Sequence, residues 1–114
     1  MLESKLKKEI REYVKSRGAF WSTVTGGVSS KPGDPDLILC YKGRYVALEV
    51  KQGRKKAEAL QAHRLQQIHD AGGMAAVVRS IIDVELVLDA VDKGRRPDGP
   101  VDFISGQNVL GVYI

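Results

Sequence analysis

The sequence predicts an α/β domain in which helices flank a mixed β-sheet. Segments with helical periodicity alternate with short apolar runs that suit strands, and this alternation is typical of the class. The helices are expected over residues 2–17, 57–71 and 81–92, and the strands over residues 20–25, 37–41, 45–50 and 74–79. Only a few residues around Lys42-Gly43 separate two of these strands, so the two strands are expected to form an antiparallel hairpin.

The length of 114 residues is that of one domain. We expect a single domain over residues 1–114, with its core in residues 1–92 and a C-terminal hairpin extension in residues 101–114. Short strands are expected there over residues 101–104 and 109–114, on either side of Ser-Gly-Gln-Asn. This apolar hairpin is interpreted either as a dimer surface or as a cover for the edge of the sheet.

The composition is that of a soluble globular protein, with 43% hydrophobic and 28% charged residues. A net charge of +4 favours an anionic partner only weakly, because many basic proteins bind no nucleic acid. No apolar run approaches the roughly 18 residues of a membrane span, and the amino-terminal helix is charged, so we expect a cytoplasmic protein. The single cysteine, Cys40, excludes an intrachain disulfide and a cysteine zinc site, and we expect it to be buried.

The first helix is expected to bury one apolar stripe and to end at Gly18. Of its three glutamates, Glu3 lies nearest to that stripe, Glu9 is second and Glu12 faces solvent. The strand that follows carries Trp21, which we expect to pack against the core or an edge rather than to stack on a base.

The hairpin brings charged residues together at the end away from its turn. If Tyr41 pairs with Arg44, the same register places Asp36 opposite Glu49. Side chains alternate faces along a strand, so Lys51 joins Glu49 on one face. A structural strand does not require two carboxylates and an ammonium on one face of a sheet.

Metal-dependent hydrolysis of phosphodiesters suits this cluster. Two neighbouring carboxylates repel, and a divalent cation between them removes that repulsion. Hard oxygen ligands favour Mg²⁺ or Mn²⁺, which keep several waters and bind substrate phosphate. Lys51 would orient or activate the attacking water, or neutralise the developing charge. The alternative is a half-exposed strand whose Glu49 and Lys51 are simply solvated.

Pro35-Asp36 followed by Glu49-x-Lys51 resembles the PD-(D/E)xK nuclease superfamily. The fuller pattern is similar to the VRR-NUC family, especially its small standalone members of phages and bacteria. The resemblance covers about residues 1–80 and rests on these stretches: ESKLKKEIREYVKSRGA, GDPDLIL, YVALEVKQG, Gln61 and GGMAAVVRS. It implies a restriction-endonuclease-like fold and structure-selective cleavage of branched DNA, with dimers that cut Holliday junctions.

The resemblance also implies roles for individual residues. Asp36 and Glu49, with the backbone carbonyl of Val50, would bind the metal ion, and Lys51 would be catalytic. Glu3 matches a metal-associated glutamate on the first helix, although an ordinary first-turn acid favoured by the helix dipole is the alternative. Gln61 matches a glutamine near the catalytic end of the sheet, so we expect it to support the site.

Five basic residues are expected to contact nucleic-acid phosphates: Lys31, Arg54, Lys55, Lys56 and Arg64. Lys31 lies in a glycine- and serine-rich loop next to Asp36 and is equally consistent with an ordinary surface loop. Arg64 shares a helix face with apolar residues. The alternative to a phosphate contact is therefore that its aliphatic stem packs on the protein surface while its guanidinium reaches solvent. His63 and His69 lack metal-ligand spacing and are excluded from the chemistry.

The residues therefore predict the site of a divalent-metal-dependent nuclease, and the resemblance implies a DNA endonuclease that acts on branched DNA as a homodimer. One alternative is a nuclease with the same site that acts on flaps, ends or RNA, or without specificity. The other is a non-catalytic nucleic-acid-binding module, which would be expected to have lost part of the acidic pair or the lysine. Asp36, Glu49 and Lys51 are all present.

Overall fold

The computed structural model describes residues 2–23, 32–104 and 107–108. Within these residues three helices flank a sheet of six strands, in the order β1-β2-β3-β4-β5-β6. The elements are α1 (Glu3–Ser16), β1 (Phe20–Thr23), β2 (Leu37–Tyr41), β3 (Arg44–Val50), α2 (Ala59–Asp70), β4 (Met74–Val78), α3 (Ile81–Asp92), β5 (Val101–Ile104) and β6 (Gln107–Asn108). In the described part of the chain, no helix is long and apolar enough to cross a membrane.

The sheet is mixed, as expected. β1, β2 and β3 are antiparallel neighbours, β4 and β5 continue the sheet in parallel to β3, and β6 returns antiparallel to β5. The hairpin register is the predicted one, because Tyr41 pairs with Arg44 and Leu37 pairs with Leu48. Lys42 and Gly43 have positive φ angles of 49° and 79°, the conformation that a two-residue hairpin turn of the primed type requires.

Alternation along β3 produces a core on both faces of the sheet. Val46, Leu48 and Val50 face the larger core, which the buried residues of α1 and α3 complete. Ala47 faces a smaller core beneath α2, together with Leu65, Ala75 and Val77. Glu49 lies on this second face, so the functional end of the hairpin is covered by α2.

The described strand β5 of the C-terminal segment contributes to the core. β5 pairs in parallel with β4, and its Val101 and Phe103 are 1% and 0% exposed. The interpretation of this segment as an edge cover is therefore correct for β5, and the core does not stop at residue 92. Gln107-Asn108, predicted as part of a turn, forms β6 instead, while residues 109–114 lie outside the described residues.

Two burial predictions were wrong. Cys40 is exposed, because it lies near the turn end of β2, between Phe20 and Tyr45, which are themselves 77% and 50% exposed. The sequence also predicts an apolar face of α2 at Ala57, Leu60, Ile68 and Ala71. Of these, Leu60 is 43% exposed and Ala71 is exposed, whereas the buried residues of the helix are Leu65 and His69. Strand alternation and helical periodicity indicate a face, but they do not indicate how far a neighbouring element extends over it.

Candidate active site

The backbone segment that precedes Asp36 is fixed by a close contact between Gly33 and α2. Gly33 has φ of +84°, and a Cβ atom there would lie 2.7 Å from the Leu60 side chain and 2.9 Å from its backbone. Only glycine combines this backbone conformation with so close an approach. The contact directs Asp34, Pro35 and Asp36 past the N-terminus of α2 and into β2.

The Asp36 carboxylate is held by two donors from different elements. Its Oδ2 accepts a hydrogen bond of 2.8 Å from the backbone N–H of Val50, so it lies beside the end of β3. Its Oδ1 is 3.0 Å from Nζ of Lys7 on α1, and the same ammonium lies 3.6 Å from the Glu3 carboxylate. Burial lowers the pKa of Lys7, but Asp36 and Glu3 outweigh it and the pKa is raised overall.

Glu49 is a buried carboxyl group, and only one of its two oxygens has a hydrogen-bond partner among the described residues. It is 3% exposed, and its Oε1 accepts a hydrogen bond of 2.9 Å from Nε2 of Gln61. Its Oε2 is buried and has no hydrogen-bond partner among the described residues. Burial raises the pKa of Glu49 to about 8, and the negative charge of Asp36 adds to this, whereas Lys51 and Lys7 act in the opposite direction. Such a group is costly to ionise without a further cation.

Lys51 extends β3 by one residue beside Glu49. Its backbone N–H donates a 3.1 Å hydrogen bond to the carbonyl of Val78, so the parallel pairing with β4 fixes its position. Lys51 is 6% exposed, which is rare for a lysine, and its positive charge opposes the rise in the pKa of Glu49. The predicted cluster of Asp36, Glu49 and Lys51 is therefore brought together at one end of the sheet.

The orientation of Gln61 is imposed by the start of α2. Its Oε1 accepts a 2.8 Å hydrogen bond from the backbone N–H of Glu58, the residue that caps this helix. Because the oxygen is used at the cap, the amide nitrogen must face Glu49. The predicted support by Gln61 thus has a defined geometry, and it comes from a capping box.

The donor set fits a hard divalent cation. The two carboxylates of Asp36 and Glu49 supply oxygen ligands, and the unpartnered Glu49 Oε2 is the kind of buried atom that a cation satisfies. Among the described residues there is no group of three or more His, Cys, Asp or Glu side chains that could hold a metal ion. Mg²⁺ is commonly held by one or two carboxylates and retains waters, so a two-carboxylate site suits it better than a metal that needs a full protein cage.

Glu3 does not join the two carboxylates directly. It reaches Asp36 only through Lys7, and its side chain is 39% exposed. The role of the Val50 carbonyl as a metal ligand stays a prediction. Lys7 is the residue that the sequence reasoning missed, although its spacing of four from Glu3 places both on one face of α1.

The predicted phosphate-contacting residues are placed unequally. Arg54, Lys55 and Lys56 are exposed on the turn after Lys51, and Arg79 holds this turn by donating a 2.8 Å hydrogen bond to the carbonyl of Lys55. Lys31 lies outside the described residues.

Arg64 is turned towards the protein. Its Nε lies 3.6 Å from Oδ1 of Asp34, and its Nη1 donates a 2.7 Å hydrogen bond to Gln67. The excluded His63 is exposed, whereas His69 is buried and contacts Arg96, which suits a structural role.

No protein-family model matches the chain, and no curated protein matches it significantly. Solved structures, in contrast, do match the chain. One, described as a VRR_NUC domain, matches with a TM-score of 0.66 over 76% of this chain and 94% of its own, at 21% sequence identity. The Holliday junction resolvase Hjc of the archaeal hyperthermophile Archaeoglobus fulgidus matches with a TM-score of 0.54 over 68% of this chain and 67% of its own, at 20% identity. At these identities the similarity is one of fold, and it confirms the expected restriction-endonuclease-like architecture.

Proposed function

We propose that this protein is a divalent-metal-dependent nuclease of the VRR-NUC kind that cleaves DNA. The observation that carries the proposal is the buried Glu49 beside the half-buried Asp36: among the described residues, Oε2 of Glu49 has no hydrogen-bond partner, and the pKa of Glu49 is raised to about 8. A cation between the carboxylates explains why the chain keeps this unfavourable pair, and Lys51 stands beside it. A solvated strand would leave these groups exposed and their pKa values ordinary.

Some residues of the site would bind the metal ion, and others hold those ligands in position. Asp36 and Glu49 would hold Mg²⁺ or Mn²⁺, which when bound supplies charge stabilisation on the phosphate oxygens and a more acidic water. Val50 and Lys7 keep Asp36 in place, and Gln61 keeps Glu49 in place. Lys51 would orient the attacking water or neutralise charge on the phosphate in the transition state.

We propose branched DNA, such as a four-way junction, as the substrate. The fold similarity includes a Holliday junction resolvase, and the exposed basic turn of Arg54, Lys55 and Lys56 lies next to the site. A symmetric cut across a four-way junction needs two sites related by a two-fold axis, so we propose a homodimer as the active form. Because β5 is part of the core, deleting residues 101–114 would unfold the protein and would not test the dimer.

The test is a panel of end-labelled substrates: a four-way junction, a flap, a linear duplex, single-stranded DNA and RNA. We expect Mg²⁺-dependent cleavage of the junction in preference to the others, and no cleavage by the Lys51→Ala variant. Preferential cleavage of flaps, ends or RNA would support the nuclease activity but would contradict branched DNA as the substrate. Absence of Lys51-dependent cleavage on every substrate would favour a non-catalytic nucleic-acid-binding module. Light scattering with and without the junction tests the dimer, and a monomer in both states would exclude it.

A further inference from the structure

A cleft of about 470 Å³ opens on the α1 side of Asp36, opposite to the side that Gln61 closes. Asp36 and Val50 are among its lining residues, so the cleft is continuous with the proposed metal site. Lys7 and Arg11, one helical turn apart on α1, line one wall, and Trp21 of β1 lines another. Of the residues assigned to phosphate binding from the sequence, the four that the structure describes, Arg54, Lys55, Lys56 and Arg64, do not line this cleft.

Among the described residues that line the cleft, Arg11 is the cation without an ion pair. Lys7 is already paired with Asp36 and Glu3, whereas Arg11 forms no ion pair with any residue in ranges 2–23, 32–104 and 107–108. The Arg11 guanidinium lies over the Trp21 ring, 5.8 Å from its centroid. Trp21 is half-buried and packs against the main core, so the ring is a fixed support. Stacking of this kind holds a guanidinium in place and leaves its edge N–H groups free to donate.

We propose that this cleft binds the sugar–phosphate backbone of the nucleotide next to the scissile phosphate. Arg11 is the phosphate-binding residue, and Trp21 is the positioning residue that holds it. The inference rests on the proposed nuclease function, because continuity with the Asp36 site is what assigns a nucleic-acid strand to the cleft. A planar guanidinium matches the geometry and the negative charge of a phosphodiester.

The test uses the single tryptophan of the sequence as the reporter. A short single-stranded DNA oligonucleotide is added in Mg²⁺ to the Lys51→Ala variant, which is expected not to cut it. Occupation of the cleft should lower the quenching of Trp21 fluorescence by acrylamide. Unchanged quenching at saturating oligonucleotide would overturn the proposal.

Affinity provides the second readout. Arg11→Ala in the same background should weaken oligonucleotide binding about tenfold, the value of one charged hydrogen-bonded contact, and reduce the salt slope of the affinity by about one. Lys5→Ala removes the same charge from the exposed far side of α1 and should leave both unchanged. Arg11→Lys should bind with intermediate affinity, since it keeps the positive charge but loses the planar guanidinium that stacks on Trp21. Equal affinities for Arg11→Ala and Lys5→Ala would overturn the role of Arg11.

The two proposals fail separately. If Lys51→Ala and Asp36→Ala abolish cleavage while Arg11→Ala binds normally, only the cleft is wrong. If no oligonucleotide binds while the junction is cleaved in an Asp36-dependent manner, only the cleft proposal fails. If cleavage does not depend on Asp36, the nuclease function fails and the cleft proposal fails with it. Mn²⁺ binding by Arg11→Ala, measured by calorimetry, should equal that of the unchanged protein and reports that the variant is folded.

Discussion

Gln61 donates a hydrogen bond of 2.9 Å from its Nε2 to Oε1 of Glu49, while its own oxygen accepts from the backbone N–H of Glu58. The start of α2 and the buried carboxyl of β3 are thus joined by one amide group. This arrangement couples helix capping to the position of a proposed metal ligand.

Removing this amide should slow cleavage without removing the metal site. Gln61→Ala is expected to reduce the cleavage rate about 10- to 100-fold, the usual effect of losing a residue that orients a metal ligand. Gln61→Glu keeps an acceptor for the cap but sets a second carboxylate against Glu49, so the metal-free protein should melt at a lower temperature than Gln61→Ala. Gln66→Ala changes an exposed glutamine of the same helix and should behave as the unchanged protein. Equal rates for Gln61→Ala and Gln66→Ala would remove Gln61 from the mechanism.

The raised pKa of Glu49 predicts how stability depends on pH. In the folded, metal-free protein the pKa is about 8, against an ordinary value of 4.5, so folding favours the protonated carboxyl. This contribution is fully present below about 4.5 and is lost as the pH rises through about 8. In EDTA the melting temperature should therefore fall across this range, and Glu49→Gln should remove most of the fall. Parallel curves for the two proteins would contradict the assigned pKa.

Lys7 should stabilise the metal-free site and compete with the cation. Lys7→Ala leaves Asp36 without its ammonium, so the metal-free protein should lose up to about 1 kcal/mol of unfolding free energy, as expected for a partly exposed ion pair. Mn²⁺ should then bind more tightly, because the competing charge is gone. Lys5→Ala is the matched control. A calorimetric titration in which Lys7→Ala binds Mn²⁺ more weakly than Lys5→Ala would contradict this role.

The three glutamates of α1 should differ in their effect on turnover. Glu3→Gln should slow cleavage most, since Glu3 is linked to Asp36 through Lys7, and Glu9→Gln should slow it less. Glu12 is exposed, so Glu12→Gln should be neutral. Single-turnover rates on one junction substrate make the comparison, and equal rates for all three would remove α1 glutamates from the mechanism.

The hairpin and its cluster could be predicted because they depend on local rules. A two-residue turn at Lys42-Gly43 leaves a single register, and strand alternation then places Asp36, Glu49 and Lys51 together. Lys7 could not be predicted in contact with Asp36, since that contact depends on the angle at which α1 packs on the sheet. The burial of Phe103 likewise requires the pairing of β5 with β4 across a long separation in the chain. No periodicity in a short apolar segment contains that information.

The most direct test of the central claim is Mn²⁺ calorimetry and junction cleavage on three variants. Asp36→Ala and Glu49→Ala should each weaken Mn²⁺ binding and reduce cleavage about a hundredfold or more. Lys51→Ala should reduce cleavage equally but leave Mn²⁺ binding largely intact, because an ammonium does not ligate a cation. If Asp36→Ala cleaves the junction in Mg²⁺ at the rate of the unchanged protein, the end of the hairpin is not the active site.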